Sequence, residues 1–236
     1  PILRPAIAGV IPLALIDKPA PGTGASLLAE VVAHLATGRP AAMMVPVAKE
    51  EESRKRITSL LGAGRTIIVL DNVDDALGSG SLAGALTASV WEDRWLGLNR
   101  MVSLPQRATW IATGNNLRIR GDLARRSYWI RLDAKAAHPW ERTKFQHPDL
   151  LGFVRAHRGE LLAAMLTVVR AWFVAGSPLA KVPAMGGFNA WAQTLGSVLA
   201  FVGEADFLGN RDALYEHVDE GHEEWSAFFE AWWGSF

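Results

Sequence analysis

The stretch Pro19-Ala20-Pro21-Gly22-Thr23-Gly24-Ala25-Ser26-Leu27-Leu28 follows the apolar run Pro12-Leu13-Ala14-Leu15-Ile16 and opens a helical pattern. Glycines at 22 and 24 let the backbone turn tightly enough for successive N–H groups to face one anion, and a helix beginning near Ala25 adds the positive end of its dipole. This is the chemistry of a phosphate-binding loop. The lysine that reaches the outer phosphates in such loops is replaced by Ala25, whereas Ser26 keeps the hydroxyl that faces a magnesium ion. The loop is present and its point charge is missing. A glycine-rich turn before a helix can also be a plain tight connection, so the neighbouring segments decide the reading.

Residues 13–17 read as a short buried strand, and Leu27, Leu28, Val31, Val32 and Leu35 recur at helical spacing until Gly38 and Pro40 stop the helix. A second strand is expected over residues 43–47. An amphipathic helix follows over residues 50–61, with Ile57, Leu60 and Leu61 on its apolar side. Thr66-Ile67-Ile68-Val69-Leu70-Asp71 has the β-branched and aliphatic content of a parallel strand buried on both faces, and it ends in a carboxylate. At the carboxyl end of such a strand Asp71 stands beside the loop and can hold magnesium directly or through water. Asn72 follows; an amide orients water but does not take its proton at neutral pH. Asp74 and Asp75 either substitute for that function or cap the helix that follows Gly80.

Residues 91–107 carry Arg94, Trp95, Arg100 and Arg107 around Gly97-Leu98-Asn99, with alternation at Met101-Val102-Ser103-Leu104, and predict a projecting hairpin. Arg94, Trp95 and Arg100 are candidates for tracking a nucleic-acid backbone and stacking on bases, although the same residue types also serve packing. Ala108-Thr109-Trp110-Ile111-Ala112-Thr113-Gly114 forms another buried strand, ending in Asn115 and Asn116. Gly121-Asp122-Leu123-Ala124-Arg125-Arg126-Ser127 then leads into a fifth strand, Tyr128-Trp129-Ile130-Arg131-Leu132. A fork of guanidinium donors suits Arg125 or Arg126 to phosphate oxygens, against the plainer alternative of a solvated pair at a helix end.

Pro21, Gly22, Thr23, Gly24 and Ser26 match the Walker A loop of AAA+ ATPases, commonly written GPPGTGKS or GPPGTGKT, while Pro19, Ala20 and Ala25 depart from it. The strand ending at Asp71 resembles a Walker B strand, with Asn72 where the catalytic glutamate is usual. The strand ending at Asn115 resembles sensor 1, and Arg125-Arg126 resembles the arginine-finger segment before the last core strand. The four segments occur in order over residues 13–132, about half the chain. Their wording looks most like the helicase-type ATPases of phage, plasmid and integrated elements, which are related to superfamily 3 helicases and often joined to primases.

The resemblance implies an α/β P-loop core, residues 1–133, with about five parallel strands between helices, followed by an all-helical lid, residues 134–236. ATP and Mg²⁺ would be held by Pro21, Gly22, Thr23, Gly24, Ala25, Ser26 and Leu27, with Ser26 and Asp71 as metal ligands. Asn115 would position the attacking water, with Asn72 beside it. Arg125 or Arg126 would complete the site of a neighbouring subunit in a homo-oligomeric ring, a hexamer. The implied function is an ATP-driven motor on single-stranded or forked DNA in mobile-element replication, with a primase domain fused or separate. Hydrolysis is impaired by Ala25, which is either an engineered substitution or the native residue of a degenerate site. The alternatives are a non-catalytic nucleotide-binding assembly module and an AAA+ ATPase that remodels protein.

Beyond residue 133 the text turns helical. Asp149 is placed to cap a helix reaching Ala175, residues 188–202 and 211–218 are amphipathic, and Trp225, Phe228, Phe229, Trp232 and Trp233 form an apolar stripe. His217 and His222 lie among acidic residues without metal-ligand spacing. Half of the 236 residues are apolar, enough for a core, and 24 basic residues balance 24 acidic ones, so any nucleic-acid surface is local. With no cysteine there is no disulfide framework or thiolate metal site, and a reducing cytoplasm suits the chain. No apolar run is long enough to span a bilayer. The start at Pro1 and the apolar end at Phe236 suggest a piece of a longer protein.

Overall fold

A computed structural model describes residues 1–95, 100–217 and 232–233. Five strands, β1 (Leu13–Lys18), β2 (Ala42–Met44), β3 (Ile67–Val73), β6 (Thr109–Asn115) and β7 (Ser127–Arg131), form one sheet in the order β2-β3-β6-β1-β7. Every neighbouring pair is parallel. The helices α1 (Ala25–Thr37), α2 (Glu50–Gly62) and α3 (Gly80–Thr87) cover its two faces. The alternation of β1 shows why. Leu13 and Leu15 point into a cluster with Ile57 and Leu61 of α2, Leu82 and Leu86 of α3, and Trp110 of β6. Ala14 and Ile16 point the other way, onto α1. Burial on both faces explains the unbroken apolar runs in the sequence.

Two expectations need correction. The face that α1 presents to the sheet is Ala25, Ala29 and Ala33, each at most 1% exposed, and Leu27 is 40% exposed. Small side chains let the helix axis approach the sheet closely, so the leucines and valines flank the contact and do not fill it. The β3 strand continues past Asp71 to Val73, because a bulge inserts one extra residue between Leu70, paired with Ala112, and Val73, paired with Gly114.

The strands β4 (Val90–Arg94) and β5 (Met101–Pro105) make the expected antiparallel hairpin, separate from the main sheet. Beyond β7 come α4 (Leu150–Ala156), α5 (Arg158–Val174) and α6 (Asn189–Phe201), then a helical stretch over 211–217. Asp149 caps α4, accepting from Gly152 N at 2.8 Å, as expected. The helix does not run on to Ala175 unbroken. It breaks at His157, whose ring Nδ1 lies 3.0 Å from Phe153 O and whose ring stacks on Phe153 at 4.3 Å.

These helices pack directly on the sheet layers. Arg158 Nε donates to His34 O of α1 at 2.9 Å, and Ile7 and Ile11 of the N-terminal arm join Phe188, Trp191 and Leu208 in a third cluster. Tyr128 of β7 meets Trp191 with ring centroids 4.8 Å apart, and burial pushes its phenol up to about 12. No helix among the described residues is long and apolar enough to cross a membrane. Of the C-terminal aromatic stripe, Trp225, Phe228 and Phe229 lie outside the described residues, as does His222.

Candidate functional site

The loop after β1 has the backbone its glycines predict. Gly22 and Gly24 sit at φ +73° and +100°, values that residues with a Cβ rarely adopt, and Thr23 Oγ1 donates to Ala20 O at 2.7 Å to close the turn. Gly22 is required a second time by packing. A Cβ there would lie 2.8 Å from Trp140 Cβ and 3.1 Å from Trp140 Cα. Gly24 immediately precedes α1, so the helix N-terminus opens onto the loop. Ala25 supplies no charge: its methyl is buried with Ala14, Ile16 and Ala29.

Behind the loop, the sheet order brings together residues far apart in sequence. Ser26 Oγ donates to Asp71 Oδ1 at 2.7 Å, across 45 residues, and Thr113 Oγ1 donates to the same oxygen at 2.7 Å. Thr113 also accepts from Asn72 N at 3.2 Å, so one hydroxyl bridges the carboxylate and the bulge. The Asp71 and Ser26 oxygens are donors suited to a hard divalent cation, which binds carboxylates, hydroxyls and phosphate oxygens. The chemistry of the residues present fits Mg²⁺.

Asn72 occupies the bulge at φ +54°, a left-handed conformation that asparagine tolerates better than most residues. Its Nδ2 donates to Asp74 Oδ1 at 2.9 Å. Asp74 therefore serves Asn72, and the cap of α3 is neither Asp74 nor Asp75 but Ser79, whose side chain accepts from Leu82 N. Asn72, Asp74 and Asp75 line a cleft of about 490 Å³ with Glu50, Ser79 and Arg120. Asn115 ends β6 opposite Lys18 of β1, exposed at the same edge of the sheet. Buried Asp17 holds the turn that follows by accepting from Leu117 N at 2.8 Å.

Sequence reasoning did not single out Thr113, Asp17 or Trp140. Thr113 was within reach of it, since it lies two residues before Asn115 and so on the same face of β6. The contact between Trp140 and Gly22 spans more than a hundred residues and left no pattern in the chain.

The two arginines ahead of β7 differ. Arg126, with its side chain 16% exposed, donates to Ala83 O and to Thr87 Oγ1 of α3 and pairs with Asp122. Arg125 is 68% exposed and pairs with Asp122 at the surface, its one ion pair among the described residues. Arg126 pins the 3-10 turn Gly121–Arg126 to α3, and Arg125 is the one presented outward.

The hairpin candidates separate in the same way. Outward positions pair Val90 with Pro105, Glu92 with Ser103 and Arg94 with Met101; inward positions pair Trp91 with Leu104 and Asp93 with Val102. Arg94 and Arg100 are exposed. Trp95 is half-buried, its ring so close to Gly62 of α2 that a Cβ on that glycine would lie 2.3 Å away. Residues 96–99, at the centre of the predicted turn, lie outside the described residues.

No family model matches the sequence, and no curated protein matches it. Among solved structures, the A form apo structure of the NrS-1 C-terminal region is similar at a TM-score of 0.46 and 16% identity, over 64% of this chain and 36% of that one. A second A form apo structure of that region, residues 305–718, is similar at a TM-score of 0.38 and 13% identity, over 62% of this chain and 33% of that one. The chain thus spans about a third of the length of these two solved chains.

Proposed function

We propose that this chain binds a nucleoside triphosphate with Mg²⁺ at the carboxyl edge of its parallel sheet, as the nucleotide-responsive core of a ring-forming nucleic-acid motor of the AAA+ helicase kind. The observation that carries this is the hydrogen-bonded group Ser26, Asp71 and Thr113, gathered directly behind a loop with two left-handed glycines. In this reading the loop N–H groups and the start of α1 hold the phosphates, and Ser26 and Asp71 would hold the metal. Mg²⁺, when bound, neutralises phosphate charge. Thr113 keeps the Asp71 carboxylate aimed, and Asn115 orients a water. Arg125 faces the neighbouring subunit's phosphates, where an arginine stabilises transferring charge. Arg94 and Arg100 of the hairpin face single-stranded DNA.

A second reading, a nucleotide-binding assembly module without hydrolysis, is favoured by Ala25 and Asn72. The first is packed among alanines; the second donates its amide to Asp74 and has no basic group. Titration calorimetry of MgATP into the protein and into Asp71→Asn and Ser26→Ala tests the site that both readings share. The unsubstituted chain binds, and each variant loses on the order of tenfold or more in Mg²⁺-dependent affinity. A chain that binds no MgATP, or variants that bind as well as the parent, would end both readings.

A further inference from the structure

The 3-10 turn Pro139–Glu141 lies against the phosphate-binding loop, and what touches Gly22 is the backbone and Cβ of Trp140. The indole is not among the atoms nearest that position. Pro139 is buried, whereas Trp140 is 55% exposed, with the His138 ring in a T-shaped pair at 5.0 Å. An exposed tryptophan side chain is ordinary when isolated. This one is held beside the loop by packing of its backbone and Cβ against Gly22, and more than half of the residue is exposed.

We propose that the Trp140 indole is the platform on which the base of the bound nucleotide stacks, so that the site takes nucleoside triphosphates in preference to bare polyphosphate. This rests on the nucleotide-binding reading above. The phosphates anchor in the loop at Gly22–Gly24, and the adjoining aromatic surface offers the apolar, flat half of the molecule a partner. Stacking reads a π face and not a hydrogen-bonding edge, so ATP and GTP gain alike. His138, in a T-shaped pair with the indole, limits the orientations open to it.

Trp140→Ala is a clean test because alanine keeps the Cβ and backbone that contact Gly22. Binding of MgATP, MgGTP and magnesium tripolyphosphate is measured by calorimetry for the parent, Trp140→Ala and Trp140→Phe. The parent binds both nucleotides more tightly than tripolyphosphate. Trp140→Ala loses on the order of tenfold for ATP and for GTP and nothing for tripolyphosphate, and Trp140→Phe recovers most of the loss. Equal losses for all three ligands would mean that the indole only shapes the loop, and no loss would mean that it touches no base. Either overturns the proposal while the phosphate site stands. A parent that binds none of the three overturns both.

Discussion

The loop end of the sheet and the packing of the β4–β5 hairpin on α2 each bring together an aspartate, a threonine and a tryptophan, and use them in opposite ways. On the hairpin they are consumed by packing. Asp93 is 4% exposed and accepts from Thr58 Oγ1 of α2, from Arg54 at 2.8 Å and from its neighbour's amide, Arg94 N, at 2.8 Å. Trp91 Nε1 donates to the same Thr58 at 2.9 Å. At the loop, Asp71 takes two hydroxyl donors on Oδ1, while Oδ2 has no hydrogen bond among the described residues; Trp140 leaves its indole exposed. A buried polar group with every valence satisfied holds a fold together. One with a valence left over at a half-exposed strand end stays available to water or to a ligand. Residue type does not separate the two cases; hydrogen-bond accounting does.

The largest effect expected from breaking this contrast is at Ala25. Ala25→Lys returns a point charge to the loop, and MgATP affinity and phosphate release then rise together, turnover by on the order of a hundredfold or more. If the lysine variant binds ATP but stays inert in assembled rings with DNA present, Asn72 marks a true loss of catalysis and the assembly-module reading holds.

Next in size is the hairpin anchor. Asp93→Ala removes the buried acceptor that joins Thr58, Arg54 and the hairpin and costs on the order of 2 kcal/mol, read as a lowered midpoint in urea. Asp71→Asn, at the half-buried loop edge, leaves that midpoint nearly unchanged while weakening Mg²⁺-dependent binding. Equal midpoints for the two variants would erase the distinction between the regions.

The smallest effect sharpens the hairpin itself. Arg94→Ala lowers affinity for a single-stranded oligonucleotide several-fold and reduces the salt slope by about one, with no change in stability. Trp95→Ala does the reverse, because its ring packs on Gly62. Oligonucleotide binding that follows Trp95 and ignores Arg94 would reassign the hairpin's contact surface.

The parallel α/β sheet, its five strands, the hairpin and the loop were all legible in the amino-acid pattern. Those features follow from local properties: apolar runs without alternation, glycines ahead of a helical period, and Asp149 capping a helix. The pattern placed Ser26 and Asp71 at one edge, because strands of an open parallel sheet end at a common edge, and resemblance to AAA+ motifs added Asn115. Tertiary structure decided what each residue is free to do. Which of Arg125 and Arg126 is presented outward depends on where α3 lies, and whether Trp95 is surface or packing depends on the approach of α2. The bulge at Asn72 exists only in the pairing of β3 with β6, and Thr113 gained its place between Asp71 and Asn72 from that same pairing. Satisfaction of polar groups is a property of three-dimensional neighbours, and a linear pattern carries their identity without their distances.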